Sequence, residues 1–81
     1  MTKKDLKTFI VNALQAKNNK AKLLDVCKFI WTNYEVELRN SGDLFFTWQY
    51  DVRWAATQLR KEGVLKAVED QQNGCWELIT D

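Results

Sequence analysis

Residues 47–65, with the sequence TWQYDVRWAATQLRKEGVL, decide the fold of this chain. On a helix with 3.6 residues per turn, one side of this stretch carries its apolar residues, which are Trp48, Val52, Ala55, Ala56 and Leu59. The opposite side carries polar and basic residues, which are Tyr50, Arg53, Thr57, Arg60 and Lys61. The sequence therefore predicts a helix with one buried face and one exposed face.

Both ends of this helix have recognisable signals. Thr47 is a residue type that caps the N–H groups of a first turn. Gly63 follows two basic residues, as is typical of a helix C-terminus with a left-handed residue. Val64 and Leu65 then begin an extended run, so the helix is expected to lead directly into a strand.

Two further helices are predicted before this one. Residues 3–17 carry a single apolar stripe, and residues 17–20 break it with a polar turn. A second helix, from about residue 24 to Arg39, is the most apolar of the three and is expected at the centre. Between these helices, residues 20–24 allow a short extra strand, which weak alternation supports.

The segments that flank the third helix are predicted from turn residues. Residues 40–43 are expected to form a turn, and Leu44-Phe45-Phe46 an apolar loop whose rings cover the core. After the helix, residues 64–69 and 75–80 are expected to be two strands of a β-hairpin. The polar segment between them, 70–74, contains Asn-Gly, a strong hairpin signal.

Composition limits the class of protein. With 81 residues and 46% hydrophobic content, residues 1–81 are expected to form a single domain with one core. The net charge is +1, but residues 1–30 carry +5 and residues 31–81 carry −4. Because Cys27 and Cys75 are the only cysteines and no signal peptide or membrane span is evident, we expect a cytoplasmic protein with two reduced core thiols.

Catalysis has little support in the sequence. The chain has no His, no glycine-rich phosphate loop and no nucleophile beside a base. We therefore expect a protein that is not an enzyme, with no cofactor, no metal and no small-molecule substrate.

The order of elements is that of a winged helix-turn-helix domain, an α+β fold of three helices followed by a two-stranded wing. In that architecture the third helix is presented to the major groove of double-stranded DNA. The residues Val52–Leu65 and Gly74–Thr80 also resemble the N-terminal winged-helix domain of Mrr-type restriction-system proteins. That family joins the domain to a nuclease domain, which these residues do not include. The resemblance implies DNA recognition without cleavage, as in a small regulator or a restriction- or phage-related accessory protein.

The candidate DNA contacts lie mainly on the third helix. Arg53 and Arg60 are spaced to reach phosphates or guanine edges. Further phosphate contacts are expected from Lys61 and Lys66, and further hydrogen bonds to bases or backbone from Gln49, Tyr50 and Thr57. The alternative for each residue is an ordinary solvated face. For Trp54, packing under the wing or against the chain before the first helix is favoured over stacking on a partner.

A second class of function remains open. The expected wing carries Glu69 and Asp70, which repel a phosphate backbone, whereas the N-terminal lysines would attract one. Oppositely charged ends also favour pairing between molecules. The alternative prediction is therefore a winged helix used for protein–protein contact or homodimerisation.

Overall fold

The computed structural model describes residues 3–67 and 75–79. In chain order its elements are α1 (Asp5–Ala16), β1 (Lys20–Lys22), α2 (Leu23–Arg39), α3 (Leu44–Lys61) and β2 (Cys75–Glu77). Strands β1 and β2 pair antiparallel, with Lys20 opposite Glu77 and Lys22 opposite Cys75. The chain is therefore α+β, as predicted, with three helices and a two-stranded antiparallel sheet in its described part.

The core forms where the apolar stripes of the three helices meet. Leu6, Ile10 and Leu14 of α1 are fully buried because their spacing places them on one side of the helix. Buried residues of the other elements complete the core: Ala13, Ala21, Val26, Ile30, Leu38, Trp48, Val52, Ala55, Ala56, Leu59, Leu65, Trp76 and Leu78. The buried face predicted for α3 is thereby confirmed.

The turn after α1 is built from two asparagines. Asn18 and Asn19 have φ angles of 62° and 68°, a left-handed conformation that Asn adopts more readily than most residues. The N–H of Asn19 donates to the carbonyl of Leu14 at 2.6 Å. This bond closes the helix and directs the chain into β1, which confirms the short strand predicted between α1 and α2.

The predicted end of α3 is confirmed. Gly63 has a φ angle of 78°. The N–H of Val64 donates to the carbonyl of Leu59 at 2.9 Å, and that of Gly63 to the carbonyl of Arg60 at 3.2 Å. These two bonds form a Schellman motif, in which the left-handed glycine lets the chain leave the helix.

The predicted start of α3 is wrong. The helix begins at Leu44 rather than after Thr47, so residues 44–46 are helical and do not form a loop. Thr47 does not cap the helix, and its hydroxyl donates to the carboxylate of Asp51 at 2.7 Å. The physical reason is burial: a start at Leu44 places Leu44 and Phe45 against the core, one turn before Trp48.

The segment after α3 pairs with the C-terminal strand at one point. Leu65 and Leu78 form an antiparallel bridge, and the N–H of Lys66 donates to the carbonyl of Glu77 at 2.9 Å. Strand β2 thus lies between β1 and residues 64–66. The hairpin turn predicted at 70–74 and the acidic residues of the expected wing lie outside the described residues.

Contacts at the margin of the core connect α1 to α2 and to the end of α3. The ring of Tyr34 stacks on Phe9 with centroids 3.8 Å apart, and its hydroxyl accepts from the amide of Asn12 at 3.0 Å. At Tyr34 the backbone of α2 departs from helical geometry, with φ −127° and ψ 21°. An ion pair between Lys7 and Glu62 joins α1 to the end of α3.

Candidate nucleic-acid interface

The exposed face of α3 brings together five of the seven predicted contact residues. These are Gln49, Tyr50, Arg53, Thr57 and Lys61, and all five are exposed. They share a face because four of them, from Gln49 to Lys61, follow one another at intervals of four residues, close to one turn, and Tyr50 is adjacent to Gln49. Thr57 already donates its hydroxyl to the carbonyl of Arg53 at 3.1 Å, whereas its oxygen remains able to accept.

Arg60 lies at the edge of this face and is half-buried. Its guanidinium carbon is 5.9 Å from the centroid of the Trp76 ring, within the range of a cation–π contact. This contact anchors the end of α3 to strand β2. The indole of Trp76 is buried beneath it, as predicted for a core residue.

Lys66, the seventh predicted contact, belongs to a different surface. Its ammonium group lies 2.6 Å from the carboxylate of Glu77, on the sheet. The hydrogen bond from Lys66 lowers the pKa of Glu77, and the nearby charge of Lys20 acts in the same direction. Much of the charge of Lys66 is therefore offset within the chain.

A broad groove of about 540 Å³ runs along one side of the α3 face. It is lined by Lys3, Tyr50, Asp51, Arg53, Trp54, Thr57, Gln58 and Lys61. The ammonium group of Lys3 lies over the ring of Trp54, 4.5 Å from its centroid. Trp54 thus packs against the chain before α1, one of the two placements favoured by the sequence, and this packing brings a further cation beside Arg53 and Lys61.

A second groove, on the other side of the face, reaches the sheet. It has a volume of about 360 Å³ and is lined by Leu23, Arg53, Thr57, Arg60 and Trp76. Two arginines thus border one depression next to the first residue of α2. Guanidinium groups bind phosphates, so this depression has two side chains suited to a phosphate.

A third depression, which we call the α2–α3 groove, is mainly apolar. Its wide end has a volume of about 430 Å³ and is lined by Leu24, Cys27, Lys28, Trp31, Phe45, Trp48 and Gln49. Its narrow end, of about 250 Å³, shares three of these residues and is lined by Leu23, Leu24, Cys27, Gln49 and Arg53. Trp31, predicted to be a core residue, is half-buried and forms part of the groove wall.

The two cysteines are both half-buried thiols. Burial raises the pKa of the Cys27 thiol, and the positive charge of Arg53 offsets part of this rise. Cys27 lies in the α2–α3 groove, so the effect of Arg53 also indicates that the basic face and the groove are close to one another.

Two residues of this surface were not predicted as contacts. Phe46 is 82% exposed at the start of α3, and Leu24 is 63% exposed at the start of α2. Lys3, which borders the first groove, is one of the N-terminal lysines that the sequence suggested could attract a phosphate backbone. Phe46 and Tyr50 are four residues apart, a spacing that places both on one face of a helix. This spacing did not enter the prediction because residues 44–46 were expected to form a loop.

Comparison of the chain with protein-family models, curated proteins and solved structures gives no match. Within residues 3–67 and 75–79, no helix has the length and apolar character needed to cross a membrane. The same residues contain no cluster of three or more side chains able to hold a metal ion.

Proposed function

We propose that this chain is a winged-helix module that binds double-stranded DNA by placing α3 in the major groove. The observation that carries the proposal is the exposed face of α3, where Arg53 and Lys61 alternate with the hydrogen-bonding side chains Gln49, Tyr50 and Thr57. In the described part of the chain, neither Arg53 nor Lys61 forms an ion pair with a carboxylate. Both charges are therefore available to phosphates or base edges.

The order and pairing of the elements support this use of α3. Helix α2 precedes α3 through a short turn, as in a helix-turn-helix, and the chain after α3 pairs with β2. In the sequence, residues 70–74 contain the polar Asn-Gly segment that predicts the turn of a wing. The resemblance to Mrr-type N-terminal domains leads to the same proposal, which is recognition of DNA without cleavage by this domain.

The surroundings of α3 supply further phosphate contacts. Lys3 borders one groove beside the face, and Arg60 and the start of α2 border the other. Lys22, at the N-cap of α2, is exposed. Lys66 would contribute less than predicted from sequence, because its ammonium group is paired with Glu77.

A titration of duplex DNA across salt concentrations tests the proposal. We expect fluorescence anisotropy of a labelled random-sequence duplex to show binding that weakens steeply with salt, because each neutralised phosphate releases counterions. Arg53→Ala should weaken binding about fivefold or more and reduce the log–log salt slope by about 1. Lys17→Ala is the matched control, since Lys17 is exposed at the end of α1, away from the grooves beside α3.

The proposal would be wrong if the duplex did not bind at low salt. The site assignment would be wrong if Arg53→Ala and Lys17→Ala had equal effects on affinity and salt slope. Both variants alter exposed side chains, so both are expected to fold.

Exposed apolar side chains favour a second candidate, contact with another protein. Phe46 is 82%, Tyr50 78% and Leu24 63% exposed, and Phe46 and Tyr50 lie one turn apart on α3. Neighbouring exposed apolar side chains are typical of interaction surfaces. Sedimentation velocity over a range of protein concentrations distinguishes the candidates. A stable dimer that dissociates with Phe46→Ser, together with no binding of duplex DNA, would support protein contact over DNA binding.

A further inference from the structure

The residues that line the α2–α3 groove differ between its wide end and its narrow end. At its wide end the walls are aromatic and aliphatic, with Trp31, Phe45 and Trp48 as the largest lining residues. At its narrow end the groove reaches Arg53, on the basic face of α3. An occupant that fills both ends needs an apolar body and a negatively charged end.

The aromatic rings of the groove are held by contacts that join α2 to α3. The rings of Trp31 and Trp48 are nearly parallel, at 7°, with centroids 6.2 Å apart. The guanidinium of Arg39 lies 5.3 Å from the Trp31 ring and 5.7 Å from the Phe45 ring, and it is bonded to Glu35 at 2.8 Å. Rings fixed in this way provide a preformed apolar wall, as ligand sites usually do.

Two cations border the groove at separate points. Lys28 lines the wide end and Arg53 the narrow end, and in the described residues neither is within ion-pair distance of a carboxylate. Gln49 lines both ends and adds an amide that can donate or accept a hydrogen bond. The polar groups are few and the lining is mainly apolar, which is the usual composition of a small-molecule site.

We propose that the α2–α3 groove binds a small organic anion with a planar apolar body, of the aromatic carboxylate class. The body lies against the half-buried rings of Trp31 and Phe45, and the carboxylate is held by Lys28 or Arg53. The volume of the wide end, about 430 Å³, is within the range of about 300–1,000 Å³ for ligand sites. Because Gln49 and Arg53 belong to both surfaces, the bound anion competes with duplex DNA, a consequence that rests on the proposed function.

Charge argues against a second copy of the chain as the occupant. In a symmetric dimer the same patch lies on both sides of the interface. A groove paired with itself would bring Lys28 and Arg53 close to their equivalents in the other copy. Like charges placed together across an interface are unfavourable, whereas an anion is attracted by both residues.

A set of three naphthalene probes separates the effect of charge from that of the apolar body. The probes are 2-naphthoate, the neutral 2-naphthamide and the cationic 2-naphthylmethylammonium, each titrated into ¹⁵N-labelled protein and followed by amide chemical shifts. We expect saturable shifts at Leu24, Cys27, Gln49 and Arg53, with 2-naphthoate binding about fivefold or more tightly than the amide. The cation should bind most weakly.

Substitution of Lys28 or Arg53 tests where the carboxylate of 2-naphthoate binds in the groove. At least one of Lys28→Gln and Arg53→Gln should weaken 2-naphthoate several-fold and leave 2-naphthamide unchanged, whereas Lys17→Gln should affect neither probe. The inference is overturned if the three probes bind equally, if the shifts lie elsewhere, or if neither groove substitution discriminates between the acid and the amide. Shifts of the groove residues that appear on concentrating the protein without a probe would indicate a second copy, and would also overturn it.

Competition with DNA separates this inference from the proposed function. If duplex DNA binds, 2-naphthoate should displace it and 2-naphthylmethylammonium should not. Absence of DNA binding with intact 2-naphthoate binding would contradict the proposed function alone. DNA binding without saturable binding of 2-naphthoate would contradict this inference alone.

Discussion

At the scale of single residues, the ion pair between Lys66 and Glu77 shows how a neighbouring residue changes the role predicted for a side chain. The sequence assigned Lys66 to DNA, but Lys66 is bonded to Glu77 across the bridge between residues 64–66 and β2. This pairing was not visible in the sequence because the register of two segments separated by ten or more residues depends on how the whole sheet assembles. The bond gives a specific dependence of stability on pH.

We expect Glu77 to stabilise the fold above the ordinary pKa of a carboxyl group and to lose this effect as pH falls. The bond from Lys66 lowers the pKa of Glu77 in the folded chain, so below its unfolded pKa the unfolded state binds more protons. The difference in unfolding free energy between the native chain and Glu77→Gln should therefore be constant near neutral pH and should shrink as pH falls through the folded pKa. Urea unfolding at pH 7, 5, 4 and 3 measures it, and a difference that did not change over this range would contradict the expectation.

Arg53 is the residue at which the exposed face of α3 and the α2–α3 groove meet. It lines all three depressions described above, and its charge acts on Cys27. The sequence predicted its exposure from the helical period alone. The neighbours contributed by the start of α2 could not be predicted, because a single helix wheel contains no information about packing between helices.

At the scale of elements, α3 shows which sequence signals decide where a helix begins and ends. Its end was predicted correctly because Gly63 has no competitor for the left-handed position. Its start was misplaced because Thr47 is a favourable capping type, worth about 1 kcal/mol. Full burial of a Leu or Phe side chain contributes about 1.5–3 kcal/mol. Leu44 and Phe45 are each half-buried, so together they contribute about as much as one fully buried side chain, which outweighs a cap at Thr47.

Gly63→Ala tests the end of α3. A Cβ at this position would meet no atom within 4 Å, so the cost comes from the backbone, whose φ angle is 78°. We expect the free energy of unfolding to fall by about 1–2 kcal/mol, as measured by urea denaturation. Gly63→Asn should have a smaller effect, because Asn tolerates this conformation better. Equal stability of the native chain and the Ala variant would show that the end of the helix is not constrained in this way.

Small residues allow the helices of the core to pack closely. Ala13, Ala55 and Ala56 are all fully buried, and the adjacent pair on α3 was recognised in the sequence. The pattern identified the buried face but not its partners. In the structure both α1 and α2 pack on α3, which leaves little room for longer side chains at these positions.

Ala56→Leu should overpack this core. We expect a loss of about 1–3 kcal/mol in the free energy of unfolding, because added methylene groups force neighbouring side chains out of preferred rotamers. Ala16→Leu is the matched control, since Ala16 is an exposed residue of α1. Thermal and urea unfolding of the two variants should differ clearly. Equal effects of the two substitutions would mean that the interior at Ala56 can accommodate the larger side chain.

At the scale of the whole molecule, the fold gathers basic side chains on one surface and places a mainly apolar groove beside them. The net charge of +1 gives no indication of a partner, but Lys3, Arg53, Arg60 and Lys61 gather around the exposed side of α3. The sequence predicted the helices, the short strand and most of the α3 face from periodicity. It did not predict the α2–α3 groove, which exists only where two helices and their aromatic side chains meet.

The central claim is that the exposed face of α3 binds duplex DNA, and amide chemical-shift mapping of the complete chain tests it most directly. On addition of a short duplex at low salt, we predict that the largest shifts fall on residues 46–61 of α3 and on the first turn of α2. They should diminish on raising the salt concentration, because the contacts depend on phosphate charge. Shifts concentrated on α1 or on the far end of α2, or no shifts at any duplex concentration, would contradict the claim.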